Sequence, residues 1–391
     1  MKSQNLKNQF DFIIFGSGNY NSLGVLHSMI GSNARIFILC VGCSKHLKQG
    51  NIIGYSRFAK DLKEVSSVEK GVDWLIKNSN LFSKQAIIYP TGDCEVKELD
   101  RNVDKLKNHY IFPTCINYSD ISRLMDKNIQ ITQAEKYGLK ILKTQFSNSP
   151  KFSFKDVIYP CMVKPLNSTL GSKGDMRICH NETELNDALV SSKLTKNFLV
   201  QQYIKNEADL LFLGISLPNG NVLLPALVRK PGVSPTGEYS HAIITTDIDK
   251  YLPDKESVIS FVKSLNYTGP FSIEFGLENG KIYFFEINLR NDGTAHYPLG
   301  LGVNIPLIYY NSIHNRKYPS SWKIGEYEMI DESRDLRRVF SKEISLVEWC
   351  RSLINAGSYK FYNKYDKRLL YPLVLMFINI IYSKIFRTKI N

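Results

Sequence analysis

The sequence predicts a mixed α/β and α+β protein: a doubly wound parallel unit, then a strand-rich unit, then a helical tail. Three observations carry this reading. Short apolar runs alternate with helical patterns over residues 1–114, the signature of a parallel sheet with helices on both faces. Hairpin signals, and carboxylates set inside apolar strands, mark residues 115–320. Residues 321–391 close on a long uncharged run. At 391 residues the chain also exceeds the roughly 250–300 at which a single core stops growing, so two or three domains are expected.

Composition narrows the class. Hydrophobic residues make up 43% and charged residues 22% of the chain, which excludes a disordered protein. No run of ~18 uncharged apolar residues predicts a membrane span. Lys and Arg outnumber Asp and Glu 50 to 37, a net +13, which favours anionic partners such as nucleotides, carboxylates or an anionic membrane surface. Seven cysteines are scattered along the chain, so no disulfide framework is readable. Cys40 and Cys43 form a CxxC without a second pair or a nearby His, and a buried strand end is the expected role. Met1–Phe10 lacks the apolar core of a secretory signal, and the expected location is cytoplasmic.

In chain order, Phe12–Phe15 reads as a buried strand, Gly16-Ser17-Gly18 as a turn, Ser22–Ile30 as a helix and Arg35–Val41 as a second strand. Asp73–Asn78 is helical, and Gln85–Pro90 is a third strand running into a Thr91-Gly92-Asp93 loop. The glycine pair invites a dinucleotide fingerprint, but its third position is Asn21 and no acid ends the second strand. A structural tight turn is the stronger reading, and a ligand at the helix N-terminus stays open. Ile121–Leu124 and Lys127–Gly138 are helical, with Gly138 as a stop, and Leu139–Thr144 is extended.

Cys161–Pro165 is a strand, and a Ser- and Gly-rich loop from Asn167 to Gly174 leads to a returning strand at Met176–Cys179. The loop is no P-loop, because it joins two strands and lacks GxxxxGK[ST]. A β-loop-β flap over a triphosphate, rooted at Lys164, fits its composition. A helix at Glu182–Ser191 and strands at Phe198–Tyr203, Leu210–Ser216 and Val222–Val228 follow, the last two joined at Pro218-Asn219-Gly220.

The most informative segment is Phe271–Asn291. Two apolar strands, Phe271–Leu277 and Lys281–Asn288, carry Glu274, Glu286 and Asn288. Burying unpaired charge is costly, so these residues need a function. Glu286 and Asn288 share a face, continued by Arg290 if the chain stays extended. Glu274 joins them only if the strands pair with an even residue sum. A two-residue Asn279-Gly280 turn gives an odd sum, whereas a three-residue connection with Gly280 left-handed restores an even one. On that expectation Ile273, Phe275, Tyr283, Phe285 and Ile287 face a core, and the three oxygen donors suit Mg²⁺.

These residues give the chain a resemblance to the ATP-grasp superfamily, within it to carboxylate–amine ligases of the D-aspartate ligase and carbamoyl-phosphate-synthase-like group. It runs from about Asp11 to Tyr310. It rests on Pro90-Thr91-Gly92-Asp93, Met125-Asp126-Lys127, Cys161-Met162-Val163-Lys164-Pro165, Val200-Gln201-Gln202-Tyr203-Ile204, and Glu274 with Phe285-Glu286-Ile287-Asn288-Leu289-Arg290. The hinge carries Gln201-Gln202 where the family usually has an acid, and Leu289 stands where it often has Pro.

The resemblance implies a pre-grasp domain (1–114), an ATP-grasp domain (115–320) and a helical C-terminal region (321–391). It implies ATP with Mg²⁺, or Mn²⁺, as cofactors, and a ligase joining a small carboxylate to an amine through an acyl phosphate, with no nucleic-acid partner. Lys127 and Lys164 would hold phosphates. Ser168, Gly171, Ser172, Lys173 and Gly174 would cover them. Gln201, Gln202, Tyr203 and Ile204 would frame adenine, and Glu207 or Asp209 would take the ribose. Glu274, Glu286 and Asn288 would hold the metal, and Arg290 with Arg229 would neutralise the transferring phosphoryl group. His296 is a candidate substrate contact or a structural residue. The alternative is a membrane-associated nucleotide-binding module that kept the fold without catalysis.

The tail is the last feature. Leu369–Ser383 is an uncharged run of about 15 residues, roughly 22 Å of helix against a hydrocarbon core of ~30 Å. Lys364, Lys367, Arg368, Lys384, Arg387 and Lys389 flank it. An interfacial helix, peripheral at the inner membrane face, and a helix docked on the protein or on a second subunit both fit. Ser345–Ile354 is helical, with Trp349 expected on the body.

Overall fold

The computed structural model describes residues 10–117, 120–147, 154–165, 176–191, 198–231, 239–252 and 254–387. The N-terminal sheet is parallel, with strands β1 (Phe10–Ser17), β2 (Ile36–Val41), β3 (Leu62–Val65), β4 (Phe82–Pro90) and β5 (Tyr110–Ile111) in the order β3-β2-β1-β4-β5. Alternation along β1 explains the double winding. Phe12 and Ile14 enter one core with Leu23 and Leu26 of α1 (Tyr20–Ser28). Ile13 and Phe15 enter another with Val72 and Leu75 of α2 (Val68–Lys77) and Leu99 of α3 (Asp93–Arg101). The short α4 (Val103–Leu106) completes this layer. β3 is a polar edge strand whose Lys63 and Glu64 are exposed, so no apolar run announces it in the sequence. Asp93, expected in a loop, opens α3 behind an N-cap at Gly92.

Two further sheets follow. After β6 (Thr114–Cys115), α5 (Ile121–Leu124) and α6 (Lys127–Lys136), a four-stranded sheet runs β7-β10-β8-β9. It comprises β7 (Thr144–Phe146), β8 (Cys161–Pro165), β9 (Arg177–Cys179) and β10 (Phe198–Gln202), with α7 (Glu182–Ser191) beside it. The larger sheet is built from β11 (Ala208–Ser216), β12 (Val222–Pro231), β13 (His241–Thr245), β14 (Tyr267–Glu278) and β15 (Lys281–Asn288). Leu210, Phe212, Ile273, Phe275 and Phe284 pack on one face with Val258 and Phe261 of α8 (Lys255–Ser264). Leu211, Leu213 and Val228 pack on the other with Ile305 and Ile308 of α9 (Ile305–Ile313). The start of β14 pairs with β6.

The hairpin β14–β15 corrects the expected connection. Glu278 pairs with Lys281 across a two-residue turn, Asn279-Gly280, whose φ angles of 50° and 70° match the hairpin twist. The even sum arises later. Phe275 faces Phe284, but Glu274 faces Glu286, so Phe285 is the extra residue of a bulge. The same bulge corrects the inward set: Phe284 is fully buried in the core, and Phe285 turns to the other face.

The C-terminal region opens with strands before its helices. β16 (Glu326–Ile330) pairs antiparallel with β13, and β17 (Ser358–Tyr359) pairs parallel with β16. Between them lie α10 (Glu332–Phe340) and α11 (Leu346–Asn355), and α12 (Leu370–Arg387) ends the chain. Leu369 and Leu373 are buried in the core shared with α1. Trp349 stacks edge-on against Phe377 of α12, 5.9 Å between ring centres, and so packs on the tail helix rather than on the body. Among the described residues no helix is long and apolar enough to cross a membrane.

Asp366 pins the tail. Its carboxylate, 1% exposed, accepts from the Ser56 hydroxyl and from the Arg57 amide at 3.1 Å, and lies 3.2 Å from Nε2 of His27. Burial works against the charge, but these partners hold its carboxyl below the usual carboxylate range. A depressed carboxylate stabilises above its unfolded pKa, and that contribution is lost as pH falls through the folded one. Asp366→Ala should lower stability by about 2 kcal/mol at pH 7, because buried donors lose their acceptor. The deficit should shrink below pH 3.8, as thermal melts across pH would show.

Candidate active site

A cleft of about 680 Å³ opens between the two later sheets and the N-terminal unit. Each wall follows from local structure. The C-terminal ends of β1 and β4 deliver Asn19, Tyr20, Asn21, Thr91, Gly92 and Asp93, the position where open parallel sheets present ligands. The N-terminus of α6 delivers Lys127, β8 delivers Lys164, and β10 with its exit delivers Gln201, Gln202, Tyr203 and Ile204. The large sheet contributes Asp209, Lys230, Glu274, Glu286 and Asn288. Arg290, Asp292, Gly293 and Thr294 close the far end.

Glu274 and Glu286 are directly opposed on neighbouring strands, a spacing of roughly 5 Å between Cβ atoms at which like charges repel. A cation from elsewhere in the fold meets each one. Nζ of Lys127 lies 3.0 Å from Glu286, and Nζ of Lys230 lies 3.7 Å from Glu274. Lys127 accordingly holds the Glu286 carboxyl well below its ordinary range. Burial pushes Glu274 up despite Lys230. For Lys230, burial works against the charge, yet the Glu274 carboxylate raises its pKa overall.

Lys164 differs. Burial, and then repulsion from Lys127, pushes it down to about 8. Its ammonium donates to Oε1 of Gln201 at 2.9 Å and sits 5.1 Å from the centre of the Phe285 ring. The Gln201 amide donates onward to the Thr144 hydroxyl at 3.0 Å.

Arg290 is aimed by the N-terminal unit. Its Nε donates to Asp93 at 2.7 Å, and its NH1 lies 3.9 Å from Asp292. Asp292 in turn accepts from the Thr294 amide at 2.8 Å and the Thr294 hydroxyl at 2.7 Å. Asn291 is buried beneath. It exchanges hydrogen bonds with Asn21, its side chain donating to Oδ1 of Asn21 at 2.6 Å, while Tyr89 donates to it at 3.1 Å.

Several sequence expectations change here. Arg229 is not in the cleft: it pairs with Leu210, a core residue of the opposite face, and the neighbouring Lys230 takes the cleft position. Strand alternation could have found Lys230 once the parity of β12 against β11 was known. Glu207 is also outside the cleft, its carboxylate accepting from the Asn279 amide at 2.6 Å in the hairpin turn, whereas Asp209 lines the cleft. His296 packs against Gly24, where a Cβ would come within 2.4 Å of its Nδ1; burial pushes its pKa down to about 4. Ser168, Gly171, Ser172, Lys173 and Gly174 lie outside the described residues.

The glycine turn is explained by packing. A Cβ on Gly16 would fall 1.9 Å from the Thr91 hydroxyl, and one on Gly18 would fall 2.9 Å from Cα of Ser44. Cys40 is a buried strand residue whose thiol burial pushes up to about 12.

The donor set fits a divalent cation of the magnesium kind. Two opposed carboxylates and the Asn288 amide line one side of the cleft, with room beside them for water or phosphate oxygens. Among the described residues no group of three or more His, Cys, Asp or Glu side chains is placed to hold a metal ion by itself.

Residues 136–303 match the model of the ATP-grasp domain family. That segment is an ATP-grasp domain. Over 142 residues it is 33% identical to the carbamoyl phosphate synthase large chain of Sulfolobus acidocaldarius, a match covering 34% of this chain and 13% of that one. It is 28% identical over 212 residues to the multifunctional protein pyr1-3 of Dictyostelium discoideum, covering 51% of this chain and 9% of the relative. The chain thus spans a small part of the length of these curated relatives. Likeness of fold to solved structures extends beyond the matched segment. N5-carboxyaminoimidazole synthetase from Staphylococcus aureus superposes with a TM-score of 0.66 at 17% identity, covering 85% of this chain and 86% of that one. Biotin carboxylase from Campylobacter jejuni superposes with a TM-score of 0.64 at 17% identity, covering 82% and 75%.

The lowered pKa of Lys164 carries a prediction. A lysine depressed from 10.5 to about 8 costs the empty protein stability wherever the unfolded chain is charged, and the cost fades between those two values as pH rises. Lys164→Met should therefore stabilise the ligand-free protein at pH 7 by up to about 3 kcal/mol and lose most of that gain near pH 10.5, as paired denaturant melts at the two pH values would show.

Proposed function

We propose that this chain is an ATP-dependent carboxylate–amine ligase that joins a small acid to an amine through an acyl phosphate. The observation that carries this is the juxtaposition, in one cleft, of opposed carboxylates Glu274 and Glu286 with the cations Lys127, Lys164, Lys230 and Arg290. A carboxylate is a poor acyl donor because oxide is a poor leaving group, and phosphorylation converts that oxygen into a good one.

Each residue then has a role. Lys127 and Lys164 bind phosphate oxygens, and anionic charge beside Lys164 returns its ammonium to full protonation. Gln201, Tyr203 and Ile204, with the apolar Leu142, Met162 and Leu199, frame the adenine, and Asp209 accepts from the ribose hydroxyls. Glu274, Glu286 and Asn288 would hold magnesium, which would supply screening of charge on the phosphoryl oxygens. Arg290, oriented by Asp93, faces the transferring group and the oxyanion that forms when the amine attacks. Lys230 assumes the place expected of Arg229 beside the transferring phosphoryl group.

A second reading has an observation in its favour. The biotin carboxylase domain of Hydrogenobacter thermophilus 2-oxoglutarate carboxylase, similar in fold with a TM-score of 0.61, was solved with MgADP and bicarbonate. Bicarbonate is itself a carboxylate, and the same activation would make this chain a carboxylating enzyme. The non-catalytic alternative is disfavoured by the intact set of metal and phosphate candidates.

The test is ADP release from Mg·ATP by the purified chain across panels of acids and amines, with hydroxylamine as the trap. Hydroxamate formed from an organic acid supports the ligase. Labelled bicarbonate incorporated without such an acid supports carboxylation. Absence of ADP release together with no rise in melting temperature on adding Mg·ATP sinks both. Glu286→Gln should lower ADP formation by about 10²-fold or more. Because it also leaves Lys127 without its anion, the melting temperature should fall modestly, and the loss of activity should persist at temperatures well below that melt.

A further inference from the structure

Helix α12 is apolar on both sides, yet only one side is buried. Pro372, Leu373 and Ile380 are buried, and Phe377 meets Trp349 of α11. On the outer side Leu370, Tyr371, Val374, Ile378, Ile381 and Tyr382 are exposed. Their spacing follows one helical face over three turns, and the polar Asn379 stands at the edge of this stripe. A helix docked only for the sake of the fold would carry charged residues on that outer face.

The charge around the stripe names the occupant. From Lys367 to Asn391 the sequence holds Lys367, Arg368, Lys384, Arg387 and Lys389 and no acidic residue. Lys367 and Arg368 are exposed at the start of the helix. Asp366, just before them, is buried and engaged with Ser56, Arg57 and His27, so it does not offset them. A second copy placed on this face would oppose two all-basic segments. An anionic bilayer satisfies both features, with apolar side chains in the acyl boundary and basic ones among the headgroups. Tyr371, whose ring meets that of Tyr55 at 6.1 Å yet stays exposed, and the exposed Tyr382 stand near either end of the stripe and suit the interfacial zone.

We propose that the outer face of α12 seats the protein peripherally on an anionic lipid surface, with the helix parallel to the membrane plane. The body holds this orientation rigidly, because Leu369, Leu373 and the Asp366 network fasten the helix to the same core as α1. The cleft contributes nothing to this contact, so the proposal stands independently of the reaction catalysed.

The experiment is co-sedimentation of the full chain with vesicles of phosphatidylcholine alone or with phosphatidylserine added, at low and high salt. Binding is expected only to the mixed vesicles and is expected to weaken with salt. Val374→Asp together with Ile378→Asp touches only exposed positions, so the melting temperature should hold while vesicle binding falls about tenfold or more. Lys367→Glu with Arg368→Glu should weaken binding and flatten its salt dependence. Three outcomes overturn the proposal: no binding to mixed vesicles, unchanged binding of the Asp variant, or a wild-type dimer that the Asp variant converts to monomer while vesicle binding is absent. The second assigns the attraction to the basic body, and the third makes the face a contact with a second copy.

Discussion

Two carboxylates on opposed strand positions repel, and the cleft is organised around the compensation of that repulsion. Glu274 and Glu286 face each other because a bulge at Phe285 shifts the register of β15 by one residue. Without it the two acids would lie on opposite faces of the sheet. Lys127 answers Glu286 from the start of α6, and Lys230 answers Glu274 from β12. Neither lysine is near its partner in sequence, so the pair of acids ties α6 and β12 to the β14–β15 hairpin. A buried ion pair contributes little net stability once desolvation is counted. The arrangement is better understood as a stored charge pattern: two anionic positions for a cation, and cationic positions for the oxygens that accompany it.

The same bulge sets the depth of the cleft. It turns Phe284 into the core beside Phe275 and Phe261 and turns Phe285 toward Lys164. The ring gives the ammonium an apolar neighbour with a negative face, while Gln201 supplies an oxygen. A lysine held this way is desolvated before any anion arrives, which is why its pKa falls. Binding energy from phosphate then reverses a cost already present in the empty protein.

The N-terminal unit completes the site. Asp93 orients Arg290, and the Asn21–Asn291 exchange fastens α1 to the loop after β15. Helix α1 approaches that loop closely because Gly24 leaves room for His296. These contacts join groups about 200 to 270 residues apart, Arg290 with Asp93 and Asn291 with Asn21, so the reactive end of the cleft exists only when both units are assembled.

Much of this was legible in the chain. Alternating apolar runs established the parallel sheet, because a strand buried on both faces has to be continuously hydrophobic. Acids inside apolar strands exposed the site, because charge there is too costly without a purpose. Local patterns also pointed to Lys164 and Arg290, and the family resemblance added Gln201. Register was beyond them. The turn at Asn279-Gly280 is the two-residue type that the residues favour, and the parity correction comes from a bulge that side-chain packing decides. The exchange of Arg229 for Lys230 has the same origin, since one residue of register moves every side chain to the other face. The partnership of Asp93 with Arg290, the retreat of His296 behind Gly24 and the half-buried state of α12 are likewise tertiary. Sequence determined which chemical groups the protein has and which strands carry them. Long-range packing decided which of those groups meet, because contacts between distant segments depend on pairing and docking geometry that no local pattern encodes.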